Sequence, residues 1–284
     1  MVYQSITSFQ NPKIKHAVKL SQRKDRDREG LLVVEGRDEI VLALQGGLRP
    51  FRLFYSPGLR NGSDSELLGT FTALGGEVIE ISPQLMEKIA YRQHPDAWLC
   101  IAFQPETSLS SMKHSSMNQT EATGSTRDQS HPSMPLYLIT EGIEKPGNFG
   151  AMLRTADACG VQGVISLGGK TDLFNPNVVR ASKGSIFTVP IAAADNQQVY
   201  EWLEEQNITI VAADPHDAKP YWEVSYRRPC AIVVGSEDQG LSEFWKKNAH
   251  ELVTIPMVGT VNSLNVALSA GLLLYEAIRQ RTGT

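Results

Sequence analysis

The sequence predicts an α/β protein in two parts: a small N-terminal α/β domain, then a larger domain on a mostly parallel sheet. Three observations predict it. Short apolar runs alternate with helical stretches along the 284 residues, the pattern of βαβ units. Between about Pro105 and Pro135 the chain is rich in Ser, Thr, Asn, Gln and Met, with few aliphatic residues and no amphipathic period. Such a segment buries too little apolar surface to offset its ordering entropy. In the last half, three polar loops each follow an apolar run: Gly147-Asn148-Phe149-Gly150 leading to Arg154, residues 235–240, and Ile255-Pro256-Met257 running to Ser263-Leu264-Asn265. Ligands in open α/β sheets bind at the carboxyl ends of the strands. The three loops therefore predict one shared site.

The division follows: a domain over 1–105, a flexible linker over 106–135 and a second domain over 136–284. In the first, Ile14 and Val18 share a helical face that Lys13, Lys15 and Lys19 mostly avoid. Residues 23–29 are a mixed-charge continuation. Residues 31–35 form a strand ending at Gly36, and 37–45 a helix stopped by Gly46-Gly47. Residues 51–55, 77–81 and 99–103 are further short strands.

The second domain alternates as well. Strands fall at 136–140, 164–167, 208–212, 231–235 and 253–256, with an extended stretch at 187–190. Asn148 is a candidate cap for a helix running to Cys159, with Gly160 as its stop. Residues 177–184 are helical or looped, 196–206 helical, and a long helix covers about 263–281.

Composition excludes several classes. No apolar run reaches the roughly 20 residues that cross a bilayer, and residues 1–5 do not open a signal peptide. Cys100, Cys159 and Cys230 are odd in number and widely spaced, with no Cys/His pattern for zinc and so no metal expected. A reduced, cytoplasmic protein is expected. The net charge of −4 argues against blanket nucleic-acid binding. Yet residues 1–60 carry eleven Lys/Arg against six Asp/Glu. A basic end on an acidic body suggests a surface aimed at a polyanion, or a solvated helix face.

The familiar catalytic patterns are missing. There is no phosphate-binding GxxxxGK loop and no HExxH pair. Gly168-Gly169 lacks dinucleotide-fold spacing, and Ser236 stands outside a GxSxG elbow. Arg154 lies among apolar helical positions, six residues beyond Asn148. Its guanidinium can hold a phosphate or carboxylate in two-point contact, or be an ordinary surface arginine paired with Glu237. Asn148 has an equally plain reading as a helix cap.

Asn148-Phe149-Gly150-Ala151-Met152-Leu153-Arg154 resembles the first motif of the SpoU (TrmH) family of RNA ribose 2′-O-methyltransferases, in the SPOUT superfamily. Gly235-Ser236-Glu237-Asp238-Gln239-Gly240 resembles the second. Ile255-Pro256-Met257 through Ser263-Leu264-Asn265 resembles the third. Arg180-Ala181-Ser182-Lys183-Gly184 is also similar to the family pattern. Asn11 and Leu32-Val33-Val34-Glu35-Gly36 resemble the substrate-binding module attached to many members.

The resemblance implies a SPOUT-type parallel sheet with a C-terminal trefoil knot, S-adenosyl-L-methionine as methyl donor, a homodimer, and RNA as substrate. The two-domain layout favours rRNA over tRNA. A tRNA enzyme and a non-catalytic RNA-binding relative are the alternatives. Arg154 matches the catalytic arginine. An arginine side chain keeps its proton to beyond about pH 12, so orienting a phosphate and lowering the hydroxyl's pKa suits it better than acting as base. Asn148 and Glu237 match residues that shape the site, and Ser263 and Asn265 polar positions near the reacting ribose. Gly235, Ile255, Met257 and Leu264 match the cofactor-binding loops. Glu141 stands where many members have Asp, and Asp238 where glycine is common. The added charge of Asp238 is expected to raise a neighbouring carboxyl or alter RNA contact.

Overall fold

In a computed structural model of the chain, residues 3–59, 64–112, 134–169, 171–215 and 218–283 are described. They form two compact units, one of Met1–Pro105 with Asp172–Thr188, the other of Glu106–Thr171 with Val189–Thr284. The flexibility expected of the linker falls mainly on 113–133, outside the described residues.

The first unit is a five-stranded sheet with helices. Strands β1 (Gln4–Ile6), β2 (Leu31–Glu35), β3 (Pro50–Tyr55), β4 (Glu77–Ile81) and β5 (Trp98–Phe103) lie in the order β1-β4-β3-β5-β2. β5 runs antiparallel to both β2 and β3, whereas β1 and β3 flank β4 in parallel. Helix α1 (Pro12–Lys19) starts where Pro12 fits a first turn and the Asn11 side chain accepts from Lys13 N–H at 2.9 Å. Helix α2 (Arg23–Glu29) stops at Gly30, left-handed at φ 61°. Helices α3 (Arg37–Gln45), α4 (Ser65–Ala73) and α5 (Pro83–Ile89) follow in its N-terminal stretch. Ile14 and Ala17 of α1 join Val33, Phe54, Ile79, Leu85 and Ile101 in one core.

Residues 172–188, expected in the second domain, cluster instead with this first unit. Arg26, 1% exposed, explains much of it. Its guanidinium is ion-paired with Asp172 and donates to the carbonyls of Leu20 (2.9 Å) and Ser21 (2.8 Å). A buried arginine needs such partners. Helix α7 (Pro176–Ser182) lies along β2. Gly184 then turns at φ +86°, where a Cβ would meet the Leu42 side chain at 2.9 Å. The extended stretch expected over 187–190 is not formed: residues 185–187 make a single 3-10 turn, and a turn and a bend follow at 188 and 189. The strand begins only after Pro190, which has no N–H for a ladder.

The second unit is a seven-stranded sheet whose observed pairings are all parallel. Its strands are β6 (Leu136–Glu141), β7 (Gly163–Leu167), β8 (Ile191–Ala194), β9 (Thr209–Ala213), β10 (Lys219–Pro220), β11 (Cys230–Val234) and β12 (Glu251–Thr254), in the order β10-β12-β9-β11-β6-β7-β8. β7 and β11 are buried throughout, as continuous apolar runs in parallel sheets require. The chain starts centrally at β6, runs outward to β8, and crosses to the other half, so β6 and β11 meet where the strand order reverses. There Val234 pairs with Thr140, which sets the loops after β6 and β11 side by side.

Helices α6 (Pro146–Ala158), α8 (Asn196–Glu205), α9 (Glu243–Asn248) and α10 (Val266–Thr282) belong to this unit. α6 and α10 pack together where Gly271 faces Thr155, a Cβ there reaching its methyl at 3.6 Å. The start of the expected linker is part of the core, because Met112 is 2% exposed and packs against Gly163. Among the described residues no helix is long and apolar enough to cross a membrane.

Replacing Arg26 by methionine leaves Asp172 and two carbonyls without their donor. We expect a loss of about 3 kcal/mol, as for other broken buried pairs, read as a lower urea midpoint for the first unit. An unchanged midpoint would contradict the anchoring role.

Candidate active site

Asn148 is not the helix cap that its sequence context suggests. α6 begins at Pro146, with Lys145 as its N-cap. Proline suits this first position because its missing N–H has no intrahelical partner anyway. Asn148 thus falls inside the first turn, and its amide is free for tertiary bonds. Its Nδ2 donates to Glu237 Oε1 at 2.6 Å.

Glu237 stands on the turn after β11. Ser236 and Gly240 exchange two backbone hydrogen bonds, at 3.1 and 3.0 Å, and Ser236 Oγ accepts from Gln239 N–H at 3.1 Å. The turn closes so tightly that a Cβ on Gly235 would meet the Gly240 backbone at 2.2 Å. Gly235 is thus required by the turn itself.

Asn265 closes the cluster. It is the N-cap of α10, its Oδ1 accepting from Ala267 N–H at 3.0 Å. Its Nδ2 donates to Glu237 Oε1 at 3.0 Å and to Asn148 Oδ1 at 3.2 Å. One side chain therefore starts a helix and ties the third loop to the other two. The expected helix start at about 263 moves to Val266 for this reason.

Lys145 is the member that sequence reasoning missed. Its ammonium is ion-paired with the second Glu237 oxygen, Oε2. The available signal was the Pro146-Gly147 pair, which makes the preceding residue a helix cap. The Lys145 hydrogen bond holds the Glu237 carboxyl below its usual range of about 4.5, and Asn148 adds to this against partial burial. Of the two effects expected of Asp238, a raised neighbouring carboxyl is not found at Glu237, which is lowered.

Arg154 lies elsewhere on the helix. It is six residues past Asn148, about 9 Å along the axis. It is exposed and has no hydrogen-bond or ion-pair partner among the described residues. The pairing with Glu237 considered from sequence is not formed, because Lys145 and the two asparagines occupy that carboxylate. Ser263 is exposed on the third loop, while Ile255, Met257 and Leu264 are half-buried along it.

A cleft of about 560 Å³ opens at the ends of β6, β7 and β11. Asn148, Glu237 and Lys145 line it, but Arg154, Ser263, Asn265, Gly235, Ile255, Met257 and Leu264 do not. Glu141 braces its wall, accepting from Ser242 N–H at 2.8 Å and Asn196 Nδ2 at 3.1 Å. Buried Thr171 pins the loop below it, donating to the Ile143 carbonyl at 2.6 Å. The third loop offers a different surface. From Met257 to Leu264 its backbone makes no hydrogen bond to other backbone among the described residues.

A carboxyl depressed by Lys145 keeps its bonds above about pH 4.5 and loses them only as pH falls through its lower folded value. In an NMR titration of the Glu237 carboxyl carbon, Lys145→Met is expected to raise the midpoint. An unmoved midpoint would remove Lys145 from the cluster.

Sequence comparison matches residues 135–275 to the SpoU rRNA Methylase family and residues 11–100 to an MRM3-like substrate binding domain. A tRNA/rRNA methyltransferase of Synechocystis sp. is 30% identical over 98% of this chain and 94% of its own length. The 23S rRNA (uridine(2479)-2′-O)-methyltransferase of Streptomyces viridochromogenes is 30% identical over 92% of this chain and 87% of its own. Among solved structures, the AdoMet-bound rRNA methyltransferase of Sinorhizobium meliloti superposes with a TM-score of 0.84 at 29% identity, covering 98% of both chains. Relatives aligned from end to end, and three family motifs meeting at one carboxylate, establish that this chain belongs to the SpoU (TrmH) family of RNA 2′-O-methyltransferases.

Proposed function

We propose that this protein is an S-adenosyl-L-methionine-dependent methyltransferase that modifies a ribose 2′-hydroxyl in rRNA. The observation that carries the site reading is the convergence of Asn148, Glu237 and Asn265, from three separate stretches of chain, on one set of hydrogen bonds. Full-length similarity to rRNA enzymes supports rRNA over tRNA.

The third loop fits the methyl donor. Half-buried Ile255, Met257 and Leu264 offer apolar surface to an adenine ring, and the backbone from Met257 to Leu264, with no backbone–backbone bond among the described residues, offers hydrogen bonds. With Gly235 they make up the proposed cofactor contacts. When bound, the cofactor supplies a methyl group on a cationic sulfur. The chain's own residues prepare the acceptor. Arg154, without a partner among the described residues, holds an RNA phosphate in two-point contact beside the reacting ribose. Its charge stabilises the 2′-oxygen as the hydroxyl proton passes to solvent water, lowering the hydroxyl's pKa. Ser263, exposed on the third loop, orients the ribose, and Asn265 holds the end of that loop through Glu237 and Asn148. Glu237 and Asn148 keep the three loops in register.

The homodimer belongs to the same proposal. On α10, Leu268 and Tyr275 are 53% and 55% exposed, and Val261 on the third loop is 60% exposed. A helix with an apolar outer face opposite its packed face suits an interface between copies. The trefoil knot and the cytoplasmic setting follow from the family reading.

Arg154→Ala is expected to lower methyl transfer by about 100-fold or more, as for loss of a transition-state charge contact, with cofactor affinity kept. Unchanged turnover would remove Arg154 from the mechanism. Ribose-methylation mapping of total RNA with and without the protein is expected to show one rRNA position lost. A change confined to tRNA would overturn the rRNA assignment.

A further inference from the structure

The first unit contains a hollow that the methyl-transfer site does not use. It has a volume of about 220 Å³ and lies between α1, β2 and the end of α5. That is smaller than the ~300–1,000 Å³ of pockets for drug-sized ligands, so it suits one planar ring system rather than a whole nucleotide. Its floor is apolar, formed by Ala17, Val33 and Ile89. Tyr91, 51% exposed, and Lys88 stand at its rim, and the Glu35 side chain supplies the only carboxylate lining it.

Glu35 is 9% exposed. One carboxylate oxygen accepts from Tyr91 N–H, the other from Arg92 N–H at 3.3 Å. Arg92 Nε also stands 3.8 Å from the second oxygen, beyond hydrogen-bond range, so among the described residues each oxygen keeps a further acceptor position, since a carboxylate offers about four. Burial pushes this carboxyl up, against the lowering effect of the Tyr91 and Arg92 amides and the Arg92 charge. Additional N–H donors would therefore meet an under-solvated acceptor. An apolar floor, an aromatic ring at the mouth and a buried acceptor are the features by which proteins read bases splayed out of single-stranded RNA.

We infer that this hollow receives one unstacked RNA base through its donor edge, guanine above the others. Guanine presents a ring N–H and an amino N–H side by side, matching the two oxygens of Glu35. Adenine and cytosine each offer an amino group beside an acceptor, and uracil a single N–H between two carbonyls that a carboxylate repels. The exposed ring of Tyr91 stacks on the base, and Lys88 meets the adjoining phosphate. The inference rests on RNA being the substrate and adds which feature of that RNA the first unit selects.

The test uses the full-length protein and fluorescence anisotropy with four labelled heptaribonucleotides: UUUGUUU, UUUAUUU, UUUCUUU and UUUUUUU. UUUGUUU is expected to bind about 10-fold more tightly than UUUUUUU, the scale of one good two-point base contact. Glu35→Gln, which keeps the shape and one acceptor, is expected to remove that preference. If Glu35→Gln does not fold, Tyr91→Ala carries the test, and weaker binding of UUUGUUU alone is expected. Equal affinity for all four heptamers, or a guanine preference that survives these changes, overturns the base site. S-adenosyl-L-methionine binding by the same preparation separates the two readings. Intact cofactor binding without base preference overturns the base site alone. Base preference without cofactor binding or RNA methylation supports it and overturns the methyltransferase reading.

Discussion

The site depends on the carboxylate of Glu237. Lys145, Asn148 and Asn265 all donate to it, and they come from chain segments that follow β6 and β12. A single carboxylate can serve three donors because its two oxygens offer about four acceptor positions. The asparagines add a bond between themselves, so the cluster is a closed network. Each member is set by local backbone chemistry. Pro146 fixes the start of α6 and so the place of Asn148. The pinched turn at Gly235 and Gly240 presents Glu237. Capping of α10 presents Asn265.

The sheet brings these local devices together. Parallel pairing of β6 with β11 holds two of the loops adjacent by register alone. The third loop returns from β12, two strands from β11, and Asn265 ties its end back. That geometry leaves the stretch from Met257 to Leu264 with no backbone–backbone hydrogen bond among the described residues. A segment built in this way is suited to recognising a ligand through main-chain groups, where side-chain identity matters less than path.

Much of this was legible in the sequence because the signals are local. Buried parallel strands read as continuous apolar runs, so β6, β7, β9 and β11 fall within a residue or two of expectation. The three polar loops could be joined because each follows such a run. Less legible were effects that depend on partners far along the chain. Nothing near Asp172 announces Arg26, so the allegiance of 172–188 to the first unit could not be read. The role of Lys145 could not be read locally, because its partner lies 92 residues away. The basic surplus near the N-terminus was visible, but its neutralisation was not: Lys13 and Arg52 are both bound to Glu77, and Arg28 to Asp25 and Glu29. Lys15, Lys19, Lys24 and Arg49 are exposed without an ion-pair partner among the described residues, and they contribute to what remains of the positive face.

If Glu237 is the node that joins the loops, its contribution is cooperative with that of its partners. A double-mutant cycle of Glu237→Ala and Asn265→Ala, read as single-turnover methyl transfer to rRNA, measures this most directly. The two changes are expected to be non-additive by about 1 kcal/mol or more, since the second removes a bond that the first has already broken. Strictly additive losses would show that the two side chains act separately, and would contradict a site organised around one carboxylate.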